Sequence, residues 1–394
     1  MDASEPYEVT IVAHDVGAVG GMERVLAELV TGLRRLGNPV TVIARTCELP
    51  PDSGVVFHRV RGPARPLLIA HPWFMLWGSL AVRRWRRGIV QATGAIIANR
   101  VDVIAVHYCH RVGPTSPDRV KLPYRIHSRA VGILNRLAER FCYRPSRARE
   151  FVCVSEGLAD EMRTSYPAVA SRVHAIYNGV DTKAFAPGLR TDDARALRAT
   201  LGIDGNRLVA AFVGSEWQRK GLAPLIRAIA LARDWDLLVA GTGDERHYQE
   251  LADSLGVGQA VHWLGVTDDV QLVYALADAF VLPTSYETFS LVTFEAAASG
   301  LTVLVTPVSG ARDLIQDRKT GLLISREPGE IAERLVELAA DPPLRARLGA
   351  AARESALKFS WARMVAEHQE LYARLASREE PGAGRRMRAL APRT

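Results

Sequence analysis

Glu287 and Glu295 stand eight residues apart in ETFSLVTFE, after the apolar run AFVLP (279–283) and across the start of a helix-like stretch, Ser290–Ser299. Eight residues of helix advance about 12 Å, more than the roughly 5–9.5 Å that separates the carboxylates of a hydrolytic pair. The two acids therefore suit opposite ends of one elongated polar ligand. Carboxylates accept hydrogen bonds from hydroxyls, and the N–H groups of Phe289, Ser290 and Leu291 at the helix start can meet phosphate or sugar oxygens between them. A second cluster, Arg219-Lys220 in GSEWQRKG (214–221), places two cations beside another helix start, an arrangement that binds a diphosphate. It lacks the GxxxxGK[ST] spacing of a phosphate-cleaving loop. Gly17 and the pair Gly20-Gly21 offer bare backbone N–H groups at a third strand-to-helix turn, without the GxGxxG spacing of a dinucleotide fold. His107 and His110 close an apolar run and His127 follows in a basic stretch, positions from which an imidazole polarises a hydroxyl. A tight structural turn accounts for the glycines equally well, a solvated loop for the two cations, and a packed side chain for each histidine.

These residues need elements to hold them. Glu8–His14, Val40–Ala44, Asp102–His107 and Phe151–Ser155 are short β-rich runs, and Met22–Leu36 has apolar residues at helical spacing. The stretch from Trp73 to about Asn99 is expected to be one long helix, with RRWRR (83–87) midway. The pattern restarts with Leu208–Val213, a helix over Leu222–Arg233, and runs at Asp236–Ala240, Ala279–Leu282 and Thr302–Thr306. Strands separated by helices imply right-handed βαβ units and ligands at the strand C-termini. The predicted class is α/β, with two Rossmann-like doubly wound parallel-sheet domains facing each other across a cleft. The expected divisions are 1–185, 186–358, a helix at 359–376 returning to the first domain, and a basic tail at 377–394, with Asn178–Gly188 as hinge.

The net charge of +7 is unevenly placed: 17 Lys and Arg against Asp102, Asp118 and Glu139 give +14 between Arg61 and Arg149, leaving −7 elsewhere. Two readings follow, a solvated Arg-rich face or a contact with an anionic membrane surface, acidic glycan or phosphorylated acceptor. No nucleic-acid-binding motif is present. Four cysteines without metal-like spacing predict neither a disulfide framework nor a metal. The acidic start MDASEP and the interrupted apolar runs predict no signal peptide and no membrane span, hence a cytoplasmic protein, peripheral at the inner membrane face if the basic region docks there.

Taken together, GGMERVLAEL (20–29), DVIAVH (102–107), FVCVS (151–155), NGVDTKAF (178–185), FVG…RKG (212–221), VAGTGDE (239–245), LPTSYETFSLVTFEAAASG (282–300) and the Gly310 loop are collinear over most of the chain. In this order they resemble the family 4 glycosyltransferases. The resemblance implies a GT-B fold and a retaining, metal-independent hexosyltransferase that uses a nucleotide-diphosphate sugar as substrate, UDP first and GDP next, with no cofactor. It also implies a glycan, lipid-linked or other hydroxyl acceptor. By the same resemblance Lys220, helped by Arg219, holds the diphosphate; Glu295 holds the ribose; Glu287 and the Phe289–Leu291 backbone meet the sugar and phosphates; Gly20 and Gly21 close over the donor. His107, Lys220 and Glu287 are the expected catalytic groups, and His110 and His127 the expected acceptor or sugar contacts. His107 falls at the end of the D-v-v-h-a-H stretch, leaving His127 for the later strand-end histidine. Ser215 stands where many members carry Arg, so the diphosphate rests on Lys220 and Arg219. Asp268-Asp269 is read as a helix start rather than a metal-binding pair. The alternatives are a GT-B epimerase or hydrolase of nucleotide sugars, and a non-catalytic glycan- or membrane-binding protein.

Overall fold

Parallel strands covered on both faces are largely apolar, and VTIV, VTVIA and IVQAT are buried at every position, their few polar residues included. The computed structural model describes residues 6–18, 20–113 and 122–377. In the first domain the strands are β1 (Val9–Val12), β2 (Val40–Ala44), β3 (Val56–Arg59), β4 (Ile89–Thr93), β5 (Val101–Val106), β6 (Ala148–Cys153) and β7 (Val173–Ala175). They form one parallel sheet in the order β3-β2-β1-β4-β5-β6-β7. The second domain repeats the scheme with β8 (Leu208–Val213), β9 (Trp235–Ala240), β10 (Val261–Gly265), β11 (Ala279–Leu282), β12 (Thr302–Val305) and β13 (Leu322–Leu323), ordered β10-β9-β8-β11-β12-β13. Each sheet reverses direction beside its first strand, between β1 and β4 and between β8 and β11. Such switch points leave crevices at the strand C-termini.

Six helices place the site: α1 (Gly21–Arg35), α2 (Leu67–Trp85), α3 (Leu122–Cys142), α4 (Glu156–Ser165), α5 (Leu291–Ala298) and α6 (Trp361–Ser377). Helix α1 buries Val25, Leu26, Leu29, Val30 and Leu33 on one face and carries Glu23 in its first turn and Arg34 and Arg35 in its last, matching the helix dipole. Helix α6 packs on α1, burying Met364, Val365, Leu371 and Tyr372, and the Tyr372 hydroxyl donates to Gln91 of β4 at 2.7 Å. The two crossings between domains run side by side: the Val180 N–H donates to Phe359 at 2.9 Å, next to a bridge between Val180 and Ser360.

One expected element is overturned. The stretch from Trp73 to Asn99 is not one helix: α2 begins at Leu67 and ends at Trp85, and a buried central strand, β4, follows. Gly88, at φ 53 and pressed against the Glu8 carbonyl, makes the turn that a side chain would block. RRWRR thus ends the helix, with Arg83 and Arg84 in its last turn, where the dipole favours cations. Strands β3, β7, β10 and β13 also lie outside the runs expected from the sequence. Residues 378–394 of the expected basic tail, and 114–121 of the basic region, lie outside the described residues.

Candidate functional site

The second domain brings its predicted residues together at the C-terminal ends of β8 and β11. Between β8 and the following helix, Trp217–Lys220 forms a single helical turn that aims Arg219 and Lys220 at Glu287. Lys220 Nζ lies 3.1 Å and Arg219 Nη1 3.0 Å from the same Glu287 oxygen. Burial alone would raise the Glu287 pKa, but Lys220 and Arg219 outweigh it and hold the carboxyl below its ordinary range. Arg219 also donates to the Tyr286 carbonyl and to Glu216. Ser215 exchanges a 3.0 Å hydrogen bond with Thr242 in the neighbouring glycine loop.

Residues 287–290 are a turn, and α5 starts only at Leu291, so a purely helical spacing does not apply between the two acids. Ser290 sits in the left-handed region at φ 70, and its hydroxyl is 2.8 Å from that of Thr293. The Phe289 ring is buried and stacked on Phe294 at 4.1 Å. No side chain caps the helix, which leaves first-turn N–H groups as anion donors. Gly310, at φ 75, supports this turn by passing so close that a Cβ would lie 2.5 Å from the Phe289 Cα.

Glu295, on α5, is paired across the cleft. Arg24 of α1 donates to it at 2.7 Å, and Gly21 at the head of α1 rests against Leu291. Burial raises the Glu295 pKa, and Arg24 and the Tyr274 hydroxyl offset this only in part. Gly20, at φ 95, precedes α1 and opens the turn that faces α5.

Sequence reasoning missed several first-domain groups on the second-domain loops. Ser155 donates to the Thr288 carbonyl at 2.6 Å while capping α4 through the Leu158 N–H. Glu161 accepts from the Tyr286 hydroxyl and from Ser309, each at 3.0 Å. The Tyr108 ring meets that of Tyr286 edge-on at 5.2 Å. Arg24 lay in a quoted motif but on the polar face of α1. Glu161 is one acid among many, with no spacing to mark it.

The histidines separate. His107 ends β5, half-buried, and burial followed by the charge of His368 on α6 pushes its pKa down to about 4, so its ring is neutral. His110 has both ring nitrogens engaged, Nδ1 with Glu139 at 2.7 Å and Nε2 with Asn135 at 3.0 Å. Glu139 also accepts from the Tyr166 hydroxyl, so His110 belongs to a buried polar network. His127 lies within α3 and closes no strand; among the described residues no strand intervenes between Val106 and Ala148. The structure thus gives His107 a strand-end position and His127 none.

Comparison with known proteins settles the family. Residues 19–184 match the family model described as Glycosyltransferase Family 4, and residues 193–355 the one described as Glycosyl transferases group 1. The chain belongs to glycosyltransferase family 4. It is 30% identical over 397 residues to a D-inositol 3-phosphate glycosyltransferase of Salinispora arenicola, covering 90% of this chain and 87% of that one. It is 29% identical over 312 residues to an alpha-maltose-1-phosphate synthase of Mycolicibacterium smegmatis, covering 74% and 78%. Among solved structures it is similar to WaaG, a glycosyltransferase involved in lipopolysaccharide biosynthesis, at TM-score 0.75 and 21% identity over 95% of this chain and all of that one. It is also similar to Anabaena HepE, solved with UDP-glucose, at TM-score 0.72 and 19% identity over 94% and 100%. The glycosyltransferase therefore has the GT-B fold. Among its described residues no helix is long and apolar enough to cross a membrane.

Proposed function

We propose that the protein is a retaining glycosyltransferase that moves a sugar from a nucleotide diphosphate, UDP before GDP, to a hydroxyl of an anionic lipid-linked or cell-surface glycan. The observation that carries this reading is the convergence of Lys220, Arg219 and the head of α5 on one turn. As the glycosidic bond breaks, charge grows on the leaving diphosphate, and fixed cations and helix N–H groups interact more strongly with that state than with the bound donor. In this scheme Glu295 accepts from the ribose hydroxyls, Glu287 orients the transferred sugar, and a donor phosphate oxygen takes the acceptor proton on the same face. Ser155, Glu161 and Arg24 hold the first domain against the donor loop while this happens.

The acceptor side favours an anionic membrane surface. Ile69, Trp73, Leu76, Trp77 and Leu80 are exposed along one stripe of α2, at 56%, 42%, 58%, 46% and 44%. Ile133 and Leu137 continue the exposed apolar area on the adjoining α3. Arginines 83, 84, 86 and 87 lie at the end of the α2 stripe, a combination suited to a bilayer interface with acidic lipid.

The test is the melting temperature of the intact chain with UDP, GDP, TDP and their sugars, since a ligand of the folded state raises it. The anomer of any product formed with and without acceptor is then read by NMR. A rise with UDP and a product of retained configuration is expected. No response to any nucleotide, or an inverted product, refutes the proposal.

A further inference from the structure

We propose that a cavity at the far end of the first sheet binds a free phosphorylated small molecule, a phosphate monoester or diphosphate, at a site separate from the donor crevice. Parallel strands present their C-terminal ends to that crevice. Arg100, Arg149, Arg172 and His174 stand instead at the N-terminal ends of the neighbouring strands β5, β6 and β7. Arg374 reaches the same place from the last turn of α6. Together they line a cavity of about 570 Å³, a volume within the roughly 300–1,000 Å³ of small-molecule sites.

The cations are held in place without being neutralised. Arg172 Nη1 donates to the Pro145 and Ala148 carbonyls at 2.9 and 3.2 Å, contacts that orient the guanidinium and leave its full charge. Among the described residues, Arg100, Arg172 and Arg374 have no carboxylate partner. Arg149 pairs with Asp102 at 3.2 Å and donates to the Leu375 carbonyl at 3.1 Å, which ties β6 to α6. Glu150, the acid among the described lining residues, is 2.9 Å from His174 Nε2. The helix dipole accounts for a cation at Arg374, but it gives no reason for Arg100, which lies on no helix. Four guanidiniums gathered on one cavity repel one another, and an anion between them removes that cost.

The second domain provides the contrast. A cavity of about 580 Å³ lies at the N-terminal edge of β8, β9 and β10, but there Arg207 and Arg233 meet Asp204, Asp236 and Asp253, and Arg207 is bonded to Asp236. Its cations are balanced by acids, whereas those of the first domain are in surplus. Phosphate fits that surplus because a guanidinium fork donates to two of its oxygens at once. The leucines of the lining, Leu371 and Leu375, are 2% and 1% exposed. The rim thus offers no large apolar side chain to a bilayer, and the ligand is a free molecule rather than a lipid headgroup. The site stands independently of the transferase reading.

Inorganic pyrophosphate and glucose 6-phosphate are titrated calorimetrically into the full chain, into Lys220→Met and into the double variant Arg100→Gln with Arg374→Gln. Arg100 and Arg374 are exposed, so the double variant should keep its fold, which far-UV circular dichroism checks. At least one probe is expected to bind the parent and Lys220→Met equally, and to bind the double variant about tenfold or more weakly, the worth of one charge-assisted hydrogen bond. Arg83→Gln with Arg84→Gln, at the α2 end outside the cavity, removes the same charge and should leave binding nearly unchanged. Four results overturn the site: no binding of either probe at millimolar concentration; binding lost in Lys220→Met, which places the phosphate in the donor crevice; an equal loss in the Arg83 and Arg84 variant, which makes it a general effect of charge; or a response to vesicles containing phosphatidic acid with none to the soluble probes.

Discussion

Arg24→Ala isolates the contact by which the first domain controls Glu295. The carboxylate is 7% exposed and 2.7 Å from Arg24, whose side chain is 31% exposed and also lies 6.0 Å over the Trp361 ring. Removing one partner of a fully buried pair costs about 3–5 kcal/mol, and a hydrogen bond to a charged group is worth about 1.5–3 kcal/mol. The partial exposure of Arg24 screens the pair and sets the expected loss near 2 kcal/mol at neutral pH. The loss depends on pH in a definite sense. Burial already raises the folded pKa of Glu295 above 4.5, so its contribution to stability is fully present below that value and is lost as pH rises through the folded pKa. Without Arg24 the folded pKa moves higher still. The variant therefore matches the parent in acid, where Glu295 is protonated in both states, and falls progressively behind as pH rises. Urea unfolding of the parent, Arg24→Ala, Glu295→Gln and the double variant across about pH 4 to 8 measures this cycle. In the Glu295→Gln background the loss should shrink to a few tenths of a kcal/mol and lose its pH dependence. An equal cost at every pH, or one that survives in that background, refutes the reasoning.

Lys220→Met, which keeps the aliphatic stem but not the charge, should abolish the UDP melting response and lower kcat/KM by about 100-fold or more; far-UV circular dichroism checks that the fold persists. Trp73→Ser with Trp77→Ser should reduce sedimentation with acidic-lipid vesicles by about tenfold while leaving UDP binding unchanged; equal, negligible binding of the parent to acidic and neutral vesicles removes the membrane contact. Gly310→Ala places a Cβ 2.5 Å from the Phe289 backbone at φ 75, so it should cost about 1–3 kcal/mol and raise the donor KM, as read by thermal melting and initial rates.

The grouping proposed as the donor side was legible because its residues lie close together in the chain. Glu287 to Glu295 spans one strand-turn-helix unit, and Arg219-Lys220 another, so local pattern and chemistry coincide. Where the chain lost a boundary, the cause was equally local. IVQAT has the same apolar density as the helix before it, and only Gly88 and Gly94, at φ 53 and 75, mark it as a strand. The interdomain partners were hidden for a different reason. Arg24 and Glu295 are 271 positions apart, and Ser155 and Thr288 are 133 apart; nothing in the spacing of either segment encodes the other. That buried nitrogens such as His14 Nδ1 and His71 Nε2 have no partner among the described residues is a property of packing alone.

The two halves of the cleft differ in charge in a way that sets orientation. On the second-domain side Lys220 and Arg219 converge on Glu287, and Glu216 pairs with Arg219 as well, so in the proposed reading a diphosphate competes with these carboxylates for cations already positioned. On the first-domain side Arg45, beside His14, pairs with Asp15 through one nitrogen while its Nε has no partner among the described residues, and the imidazoles of His14, His71 and His107 are all depressed below their ordinary range. An anion placed among these neutral rings would lose water without gaining a countercharge. In the proposed reading the donor is thus favoured in one orientation and disfavoured in the reverse. Making the first-domain side cationic, for example by Asp15→Asn, releases Arg45 and should let excess nucleotide compete with the acceptor. Substrate inhibition by UDP-sugar that appears in Asp15→Asn and is relieved by raising acceptor concentration supports this partition. Unchanged kinetics in a folded variant would show that charge on this side does not govern which way round the substrates bind.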